Sequence, residues 1–330
     1  MKIHSAEVQY LDIMREILAI NAVTPDRTGT GRVRVFARDI RVDLSDGTLP
    51  VITTRKINHH HGIEELIWMI KGSHNLKDLA DNTKVIWQGW AINEKDIDAF
   101  INKNFSNFSQ FQDLTDEQGE KARSFLKTSL MDQHLGSIGP MYGHFWRHNP
   151  SSTNSGLLPI NSVRLDDIPS DKLKRIREEH DELVFFWKSA NPGSDISEMD
   201  VPEFETYAKF HYLTMNDQLG EIVRGIKRRP YSARHVMSVW IPQFLPFEGV
   251  MTPQENVLIG RGALAPCHLL TQFFVEKAVD GGPDYISLRT TQRSCDLALG
   301  VCTNLVFYAT LLHLVAHVTD LRVKELIWSG

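Results

Sequence analysis

The sequence predicts a fold of the α/β (α+β) class, in which helical and strand-like stretches are mixed along the chain. Residues 5–20 carry apolar side chains at spacings of three and four, which is typical of an amphipathic helix. Residues 33–44 alternate apolar and polar over much of their length, which favours a strand. A strand around Gln272 is followed later by a long apolar helix at 305–317. Both element types therefore recur from one end of the chain to the other.

Composition and charge limit the classes of function. The chain has 330 residues, of which 42% are hydrophobic and 23% charged, so a soluble globular protein with a sizeable core is expected. A net charge of −5 gives no basic field for DNA. No apolar run approaches the ~20 residues that a membrane span needs, and the N-terminus has no apolar signal core. Three cysteines without pairing spacings favour a reducing, cytoplasmic setting.

The first third of the chain contains two patterns that suggest binding. Residues 25–31 place Arg27 among threonines and glycines, which suits a phosphate-binding loop, although a solvated turn is the commoner explanation of such a pattern alone. Residues 59–61 are three histidines in a row. Their side chains point apart on any regular element, so we predict helix-entry residues and no metal site. The helix at 62–72 carries Glu65 within a strong apolar face.

Two long polar stretches, at about 92–136 and 148–213, are rich in charge and predict helical segments whose charged faces are solvated. Neither shows recognisable chemistry. A helix and then a strand are predicted after residue 215.

The most informative stretch runs from residue 264 to residue 309. Cys267 lies between a proline and a histidine at the start of an apolar run, and Gln292-Arg293-Ser294, Asp296 and Asn304 follow. The residue types suggest a thiol nucleophile facing an anion-binding Arg-Ser pair, with an amide and a carboxylate to read a polar ring. A single cysteine in an apolar run is, however, more often a small core residue.

This combination resembles the thymidylate synthase family, whose members use a folate to add a one-carbon unit to a pyrimidine nucleotide. Matching segments occur in the family's order: DRTGTG at 26–31, Glu-Leu-Ile-Trp at 65–68, IWQGWA at 86–91, SIGPMYGHFWR at 137–147, and the stretch from Cys267 to Asn304. The resemblance implies a thymidylate synthase-like fold with a large mixed sheet and helices. It implies one domain over residues 1–330, with insertions at about 92–136 and 148–213, and a homodimer.

The resemblance also implies roles on the nucleotide. Cys267 would attack C6 of the pyrimidine, Tyr142 would lie beside C5, and Asn304 would read the O4 and N3–H edge of uracil. The residues implied to bind the phosphate are Arg27, Arg293, Ser294 and, from the partner subunit, Arg234. Further pocket residues are His268, Gln292 and Gly300.

For the co-substrate, the resemblance implies 5,10-methylenetetrahydrofolate and no metal. Glu65 would be a buried carboxylate with a raised pKa that moves protons at the pyrimidine. Asp296 would bind the pterin. The residues implied to contact the rest of the folate are Trp87, Trp90, Arg55 and Lys56.

The chain departs from the family's pattern at several places. Ala233 replaces the first arginine of Ser-Arg-Arg, Gln88-Gly89 replaces Asp-Glu, and Cys302-Thr303 replaces Pro-Phe. The His-x-Tyr pair for the sugar and the folate-closing tail, which the family carries after the position of Gly330, do not occur in residues 1–330.

Three hypotheses therefore stay open: methylation of dUMP to dTMP, 5-hydroxymethylation of dUMP or dCMP, and a catalytically idle relative that binds nucleotide. Retention of four pocket residues favours methylation of dUMP; these are Trp87, Trp90, Tyr142 and Asn304. An aspartate at 304 would instead suit the amino group of cytosine.

Overall fold

The computed structural model describes residues 5–20, 22–26, 29–105, 114–150, 163–190 and 201–330. The described residues form two compact units. The first lies within residues 1–147 and 218–330, and the second within residues 148–217. All the predicted site residues except Arg27, which lies outside the described residues, belong to the first unit.

The first unit combines helices with strands. Its helices are α1 (Ala6–Ala19), α2 (His59–Ile70), α3 (Asp81–Lys84), α4 (Glu94–Asn104), α5 (Asp116–His134), α6 (Tyr142–His148, which ends at the boundary of the unit), α9 (Gln218–Arg228), α10 (Pro253–Leu258) and α11 (Cys302–Val318). Its strands are β1 (Asp39–Asp43), β4 (Val236–Ser238), β5 (His268–Glu276), β6 (Tyr285–Gln292) and β7 (Arg322–Ser329). The second unit contains β2 (Asn149–Pro150), α7 (Ser170–Ala190), α8 (Phe204–Thr214) and β3 (Met215–Asn216).

In the described part of the first unit, five strands form one sheet in the order β1-β7-β6-β5-β4. β6 and β7 are parallel and every other pair is antiparallel, so the sheet is mixed, as predicted. The β5–β6 register is irregular between His268 and Leu270. Such bulges re-aim side chains beside functional sites, and this one lies directly after Cys267.

The core lies between α11 and one face of the sheet. Thr271, Phe273 and Val275 of β5 are buried, whereas the alternate residues Leu270 and Phe274 are exposed. α11 is apolar around most of its circumference, which is expected of a helix enclosed by other elements.

α11 also packs closely against α2. A Cβ atom on Gly62 would lie 2.8 Å from the Thr303 methyl group, so only glycine permits this approach without a shift. The contact brings the helix that carries Glu65 against the helix that carries Asn304.

Two element predictions from the first part of the chain can be compared with the structure. The helix predicted at 5–20 is confirmed as α1, and Ser5 caps it by accepting a hydrogen bond from the Val8 N–H. The strand predicted at 33–44 was wrong in its first half, because only Asp39–Asp43 is a strand. Ala37 has a φ of 53°, a left-handed conformation that an extended strand cannot include.

The histidine run at 59–61 lies where the sequence predicts the entry to a helix. His59, His60 and His61 form the first turn of α2, and among the described residues no group of three or more ligating side chains could hold a metal ion.

The prediction that no apolar run reaches the length of a membrane span was wrong. The helical stretch Leu297–Val318 has 22 residues and is long and apolar enough to cross a membrane by length and composition. More than half of it is buried inside the protein, and one such helix is weak evidence, because core helices pass the same test.

Candidate active site

Cys267 is fixed by two backbone hydrogen bonds at the entrance to β5. Its N–H donates to the hydroxyl of Tyr142 at 2.9 Å, and its carbonyl accepts from the Arg293 N–H at 2.9 Å. The residue itself is partly exposed. The two residues expected at C6 and C5 of a pyrimidine are therefore in direct contact, although they are 125 positions apart in sequence.

Two glycines allow Tyr142 to reach this position. A Cβ atom on Gly139, whose φ is 73°, would lie 2.1 Å from the Arg261 carbonyl oxygen. A Cβ atom on Gly143 would lie 2.6 Å from Met69 of α2. These positions confirm that the glycines permit close backbone approach, and they set α6 directly against α2.

Glu65 carries the most perturbed carboxyl group of the site. The Trp87 indole N–H donates to its Oε1 at 2.8 Å. The residue is partly exposed, but its carboxyl group is buried, and this burial raises the pKa of Glu65 to about 7. The hydrogen bond from Trp87 acts in the opposite direction and lowers the pKa. A carboxyl group near half-protonation at neutral pH can both give and accept a proton. The Trp87 ring lies 6.2 Å from the Tyr142 ring, so this pair adjoins the Cys267 contact.

His268 follows the cysteine and is enclosed by aromatic rings. Its ring lies 5.1 Å from that of Tyr142, and its Nδ1 is 2.7 Å from the hydroxyl of Tyr308. Burial lowers the pKa of His268 to about 4, so the ring is neutral at physiological pH. The sequence analysis missed Tyr308, although it lies one helical turn after Asn304 and could have been found from that spacing.

Arg293 braces the turn that leads into Cys267. Its Nε and Nη2 donate to the carbonyl oxygens of Pro266 and Ala265, both at 2.8 Å. The guanidinium also lies 5.5 Å from the ring of Trp240. The arrangement holds the guanidinium at the turn before Cys267, with Ser294 next to Arg293 in sequence, which suits an anionic group.

Gln292 is buried and half satisfied. Its Oε1 accepts from the Trp328 indole N–H at 2.9 Å, whereas its Nε2 has no hydrogen-bond partner among the described residues. A buried donor without an acceptor costs about 1–3 kcal/mol unless water or a ligand accepts from it.

Asp296, Gly300 and Asn304 lie around the start of α11. One carboxylate oxygen of the exposed Asp296 accepts from the Leu299 N–H at 2.9 Å, so this side chain caps the turn that follows it. A Cβ atom on Gly300 would lie 3.7 Å from Nδ2 of Asn304, in ordinary contact. Asp296 and Gly300 therefore lie in the turn that leads into α11, and Asn304 lies in the first turn of that helix.

Of the two basic residues predicted for the folate tail, Arg55 lies beside a cavity of about 450 Å³ that neither Lys56 nor Cys267 lines. Arg55 lines it with residues of α1 and with Leu299, and its Nη1 is buried without a hydrogen-bond partner among the described residues. An apolar cavity with an unsatisfied cation suits an aromatic ligand that carries an anionic group, as a folate does. Lys56 is exposed, and Trp90 packs against the core.

Comparison with known proteins decides the family. A model of the thymidylate synthase family matches residues 8–330. The chain belongs to the thymidylate synthase family. It is 28% identical to the thymidylate synthase of Francisella philomiragia over 322 residues, which cover 98% of this chain and 77% of the relative. It is 29% identical to that of Agaricus bisporus over 323 residues, which cover 97% and 77%.

Membership of the thymidylate synthase family confirms the resemblance read from the sequence and the α/β class of the fold. It makes the chain a one-carbon transferase of a family that uses a folate co-substrate and binds dUMP. The individual residue roles stay predictions.

Two further phosphate-binding predictions, Arg27 and the partner subunit's Arg234, stay predictions. Arg27 lies outside the described residues. Arg234 is exposed just before β4, its backbone N–H donates to Ser232 Oγ at 3.2 Å, and its guanidinium has no recorded partner in the described part of the chain.

Proposed function

We propose that this protein methylates dUMP to dTMP through a covalent bond between Cys267 and C6 of the pyrimidine, with 5,10-methylenetetrahydrofolate as co-substrate. The observation that carries the proposal is the 2.9 Å contact between the Cys267 N–H and the Tyr142 hydroxyl. That contact joins the nucleophile to a chain of side chains that reaches Glu65 through Trp87.

In the first step, the Cys267 thiolate forms a bond to C6, and the electrons of the C5–C6 double bond move toward C5 and O4. Asn304 can donate to O4 and accept from N3–H, which holds the ring in register. Burial raises the pKa of Tyr142, so its hydroxyl stays protonated beside the sulfur.

Proton movement is assigned to Glu65. With a pKa of about 7 the carboxyl can hold the proton that O4 needs as charge develops there, and can later accept the proton that leaves C5, directly or through water. The folate, when bound, supplies the methylene carbon and then a hydride. Asp296 and Arg55 would orient it, since each keeps a polar atom that no described residue binds.

Hydroxymethylation is the second candidate, and one feature favours it. Thr303 stands where the family has phenylalanine, packs against Gly62 one turn before Glu65, and has no recorded side-chain hydrogen bond in the described part of the chain. The smaller polar side chain leaves room for a water that could attack the methylene carbon in place of hydride.

We also propose that the protein is a homodimer joined through the exposed face of the sheet. Val236 (37% exposed), Leu270 (38%) and Phe274 (53%) lie on the face opposite α11, and Arg234 precedes the same edge. Exposed apolar residues in such a row are typical of an interface. We expect Phe274→Asp to convert dimers to monomers in analytical ultracentrifugation. Phe36→Asp, at an exposed position outside the sheet, should leave the mass unchanged.

Mass spectrometry of the nucleotide tests the reaction, with methylenetetrahydrofolate and either dUMP or dCMP. A methyl group on dUMP supports the proposal, and a hydroxymethyl group on either base replaces it with the second candidate. Absence of product together with retained nucleotide binding would show an idle relative. Tritium release from C5-labelled dUMP reports the Cys267 step separately, because that proton leaves in both catalytic schemes.

A further inference from the structure

The wall of the proposed site contains a buried tyrosine to which the mechanism above gives no role. Tyr308 is 1% exposed and lies four residues after Asn304 on α11, so both side chains emerge on one side of the helix. Its hydroxyl oxygen is 2.7 Å from Nδ1 of His268. The two rings are tilted, with centroids 5.5 Å apart.

The protonation states leave two possible directions for this hydrogen bond. Burial lowers the pKa of His268 to about 4, so the ring is neutral and has one donor and one acceptor nitrogen. Burial raises the pKa of Tyr308 to about 12, so its hydroxyl keeps the proton. A phenol can donate to a bare Nδ1, or its oxygen can accept from an Nδ1–H.

The surroundings of Tyr308 select the first arrangement. In the described part of the chain, the Tyr308 hydroxyl makes one hydrogen bond, to Nδ1 of His268. Thr271 and Thr290 are buried, and the Thr290 hydroxyl has no hydrogen-bond partner among the described residues. A buried hydroxyl proton is costly to leave without an acceptor, so the phenol donates to Nδ1.

The remaining neighbours of His268 do not compete for Nδ1. The rings of Tyr142 and Phe307 face the imidazole at 5.1 Å and 6.3 Å, and the Tyr142 hydroxyl already accepts from the Cys267 N–H. Glu65 is the charged group that acts on Tyr308, and its charge favours the protonated phenol. Nε2 of His268 has no recorded acceptor among the described residues.

We propose that Tyr308 is a positioning residue, which holds His268 in the neutral tautomer whose Nε2–H is the free donor of the site. The donor would serve a hydrogen-bond acceptor in the pyrimidine pocket, such as a ring carbonyl oxygen or a water bound to it. The proposal rests on the proposed function for the identity of that ligand, but the tautomer itself is a property of the free protein.

The tautomer is measured by nitrogen-15 NMR of the full chain labelled at histidine, with the His268 signals assigned from a His268→Gln variant. We expect a bare Nδ1 and a protonated Nε2 from about pH 8 to about pH 5. A proton on Nδ1 in the unsubstituted protein would overturn the proposal. This outcome does not depend on whether any variant folds.

The Tyr308→Phe variant tests the cause. Without the phenol, His268 should populate both neutral tautomers, while burial still keeps its pKa low. Tyr10→Phe is the matched control, because Tyr10 is also a buried tyrosine but lies on α1, away from His268. A single Nε2–H tautomer retained in Tyr308→Phe would show that Tyr308 does not set it.

Kinetics test the consequence. We expect Tyr308→Phe to lower kcat/KM for the nucleotide about tenfold, because only part of the His268 population then presents its donor to the ligand. The double variant with His268→Gln should be no slower than His268→Gln alone. An unchanged rate with mixed tautomers would overturn the positioning role. If the unsubstituted protein turns over no nucleotide, the proposed function fails, while the NMR result still decides the tautomer.

Discussion

The side of the site assigned to the nucleotide and the side assigned to the folate differ in how far their polar groups are already satisfied. On the nucleotide side, Tyr142, His268 and Arg293 each make hydrogen bonds of 2.7–2.9 Å to protein atoms. The exception there is Nε2 of Gln292, which has no partner among the described residues. On the folate side, Arg55 keeps a buried nitrogen without a partner among the described residues, and Lys56 is exposed. Asp296 is bound only through its capping oxygen.

The difference indicates a division of labour. Groups that are held in place before ligands bind need no reorganisation during the reaction, which is how preorganised sites lower activation barriers. Polar groups without a protein partner gain a hydrogen-bond partner only when the ligand binds. Substitutions on the nucleotide side should therefore lower kcat, whereas substitutions on the folate side should raise the KM for folate.

The largest effect is expected at Cys267. Cys267→Ser should lower tritium release from C5-labelled dUMP about 10⁴-fold or more, because a serine hydroxyl is a far weaker nucleophile at neutral pH. The melting temperature should change little, since the residue is partly exposed. Cys295→Ser is the matched control and should keep most of the activity. Equal losses in both variants would remove the nucleophile assignment.

Glu65→Gln should lower kcat about 10²-fold or more, the usual contribution of a general acid–base group. The inflection that Glu65 gives the pH–rate profile near pH 7 should disappear. An intact inflection in the variant would assign it to another group.

The same substitution should change stability with a definite sign. The pKa of Glu65 is raised in the folded state to about 7, from an ordinary value of 4.5, so the folded protein binds the proton more tightly. The unsubstituted protein therefore loses stability as pH rises from about 4.5 to about 7. Glu65→Gln avoids this loss and should be more stable by about 1–3 kcal/mol at pH 8, measured by urea unfolding.

The site features that could be predicted from the sequence are those whose residues lie close together along the chain. Cys267, Arg293 and Asn304 lie in one short stretch, and their residue types and spacing indicated the chemistry. The contact of Tyr142 with Cys267 joins residues 125 positions apart, so only the family resemblance indicated it. The short β1 could not be predicted, because alternation continues through Ala37 while the backbone there turns left-handed.

Two other residues gave little or no signal in the pattern. Tyr308 is marked only by its spacing of four from Asn304, and Trp328 by nothing. Their packed positions show that their polar atoms bind His268 and Gln292. The one-domain division with two insertions and the cytoplasmic location stay predictions.

Trp328→Phe should destabilise the protein on the nucleotide side of the site, because it removes a buried hydrogen bond. The substitution removes the indole N–H and leaves Oε1 of Gln292 buried without its donor. We expect a loss of about 1–3 kcal/mol in the free energy of unfolding. Adding Gln292→Leu should recover part of it, since removing both partners leaves no unpaired group. No recovery would assign the loss to indole packing instead.

The smallest effect is expected at Arg55. Arg55→Met removes a cation whose Nη1 is buried without a partner among the described residues, so the free energy of unfolding should not fall. The KM for folate should rise about tenfold, the worth of one charge-assisted hydrogen bond, while the KM for nucleotide stays unchanged. Arg41→Met is the control, because Arg41 is an exposed arginine of β1 that pairs with Glu325. Parallel rises in both KM values would show that Arg55 supports the whole site, and the contrast between its two sides would not hold.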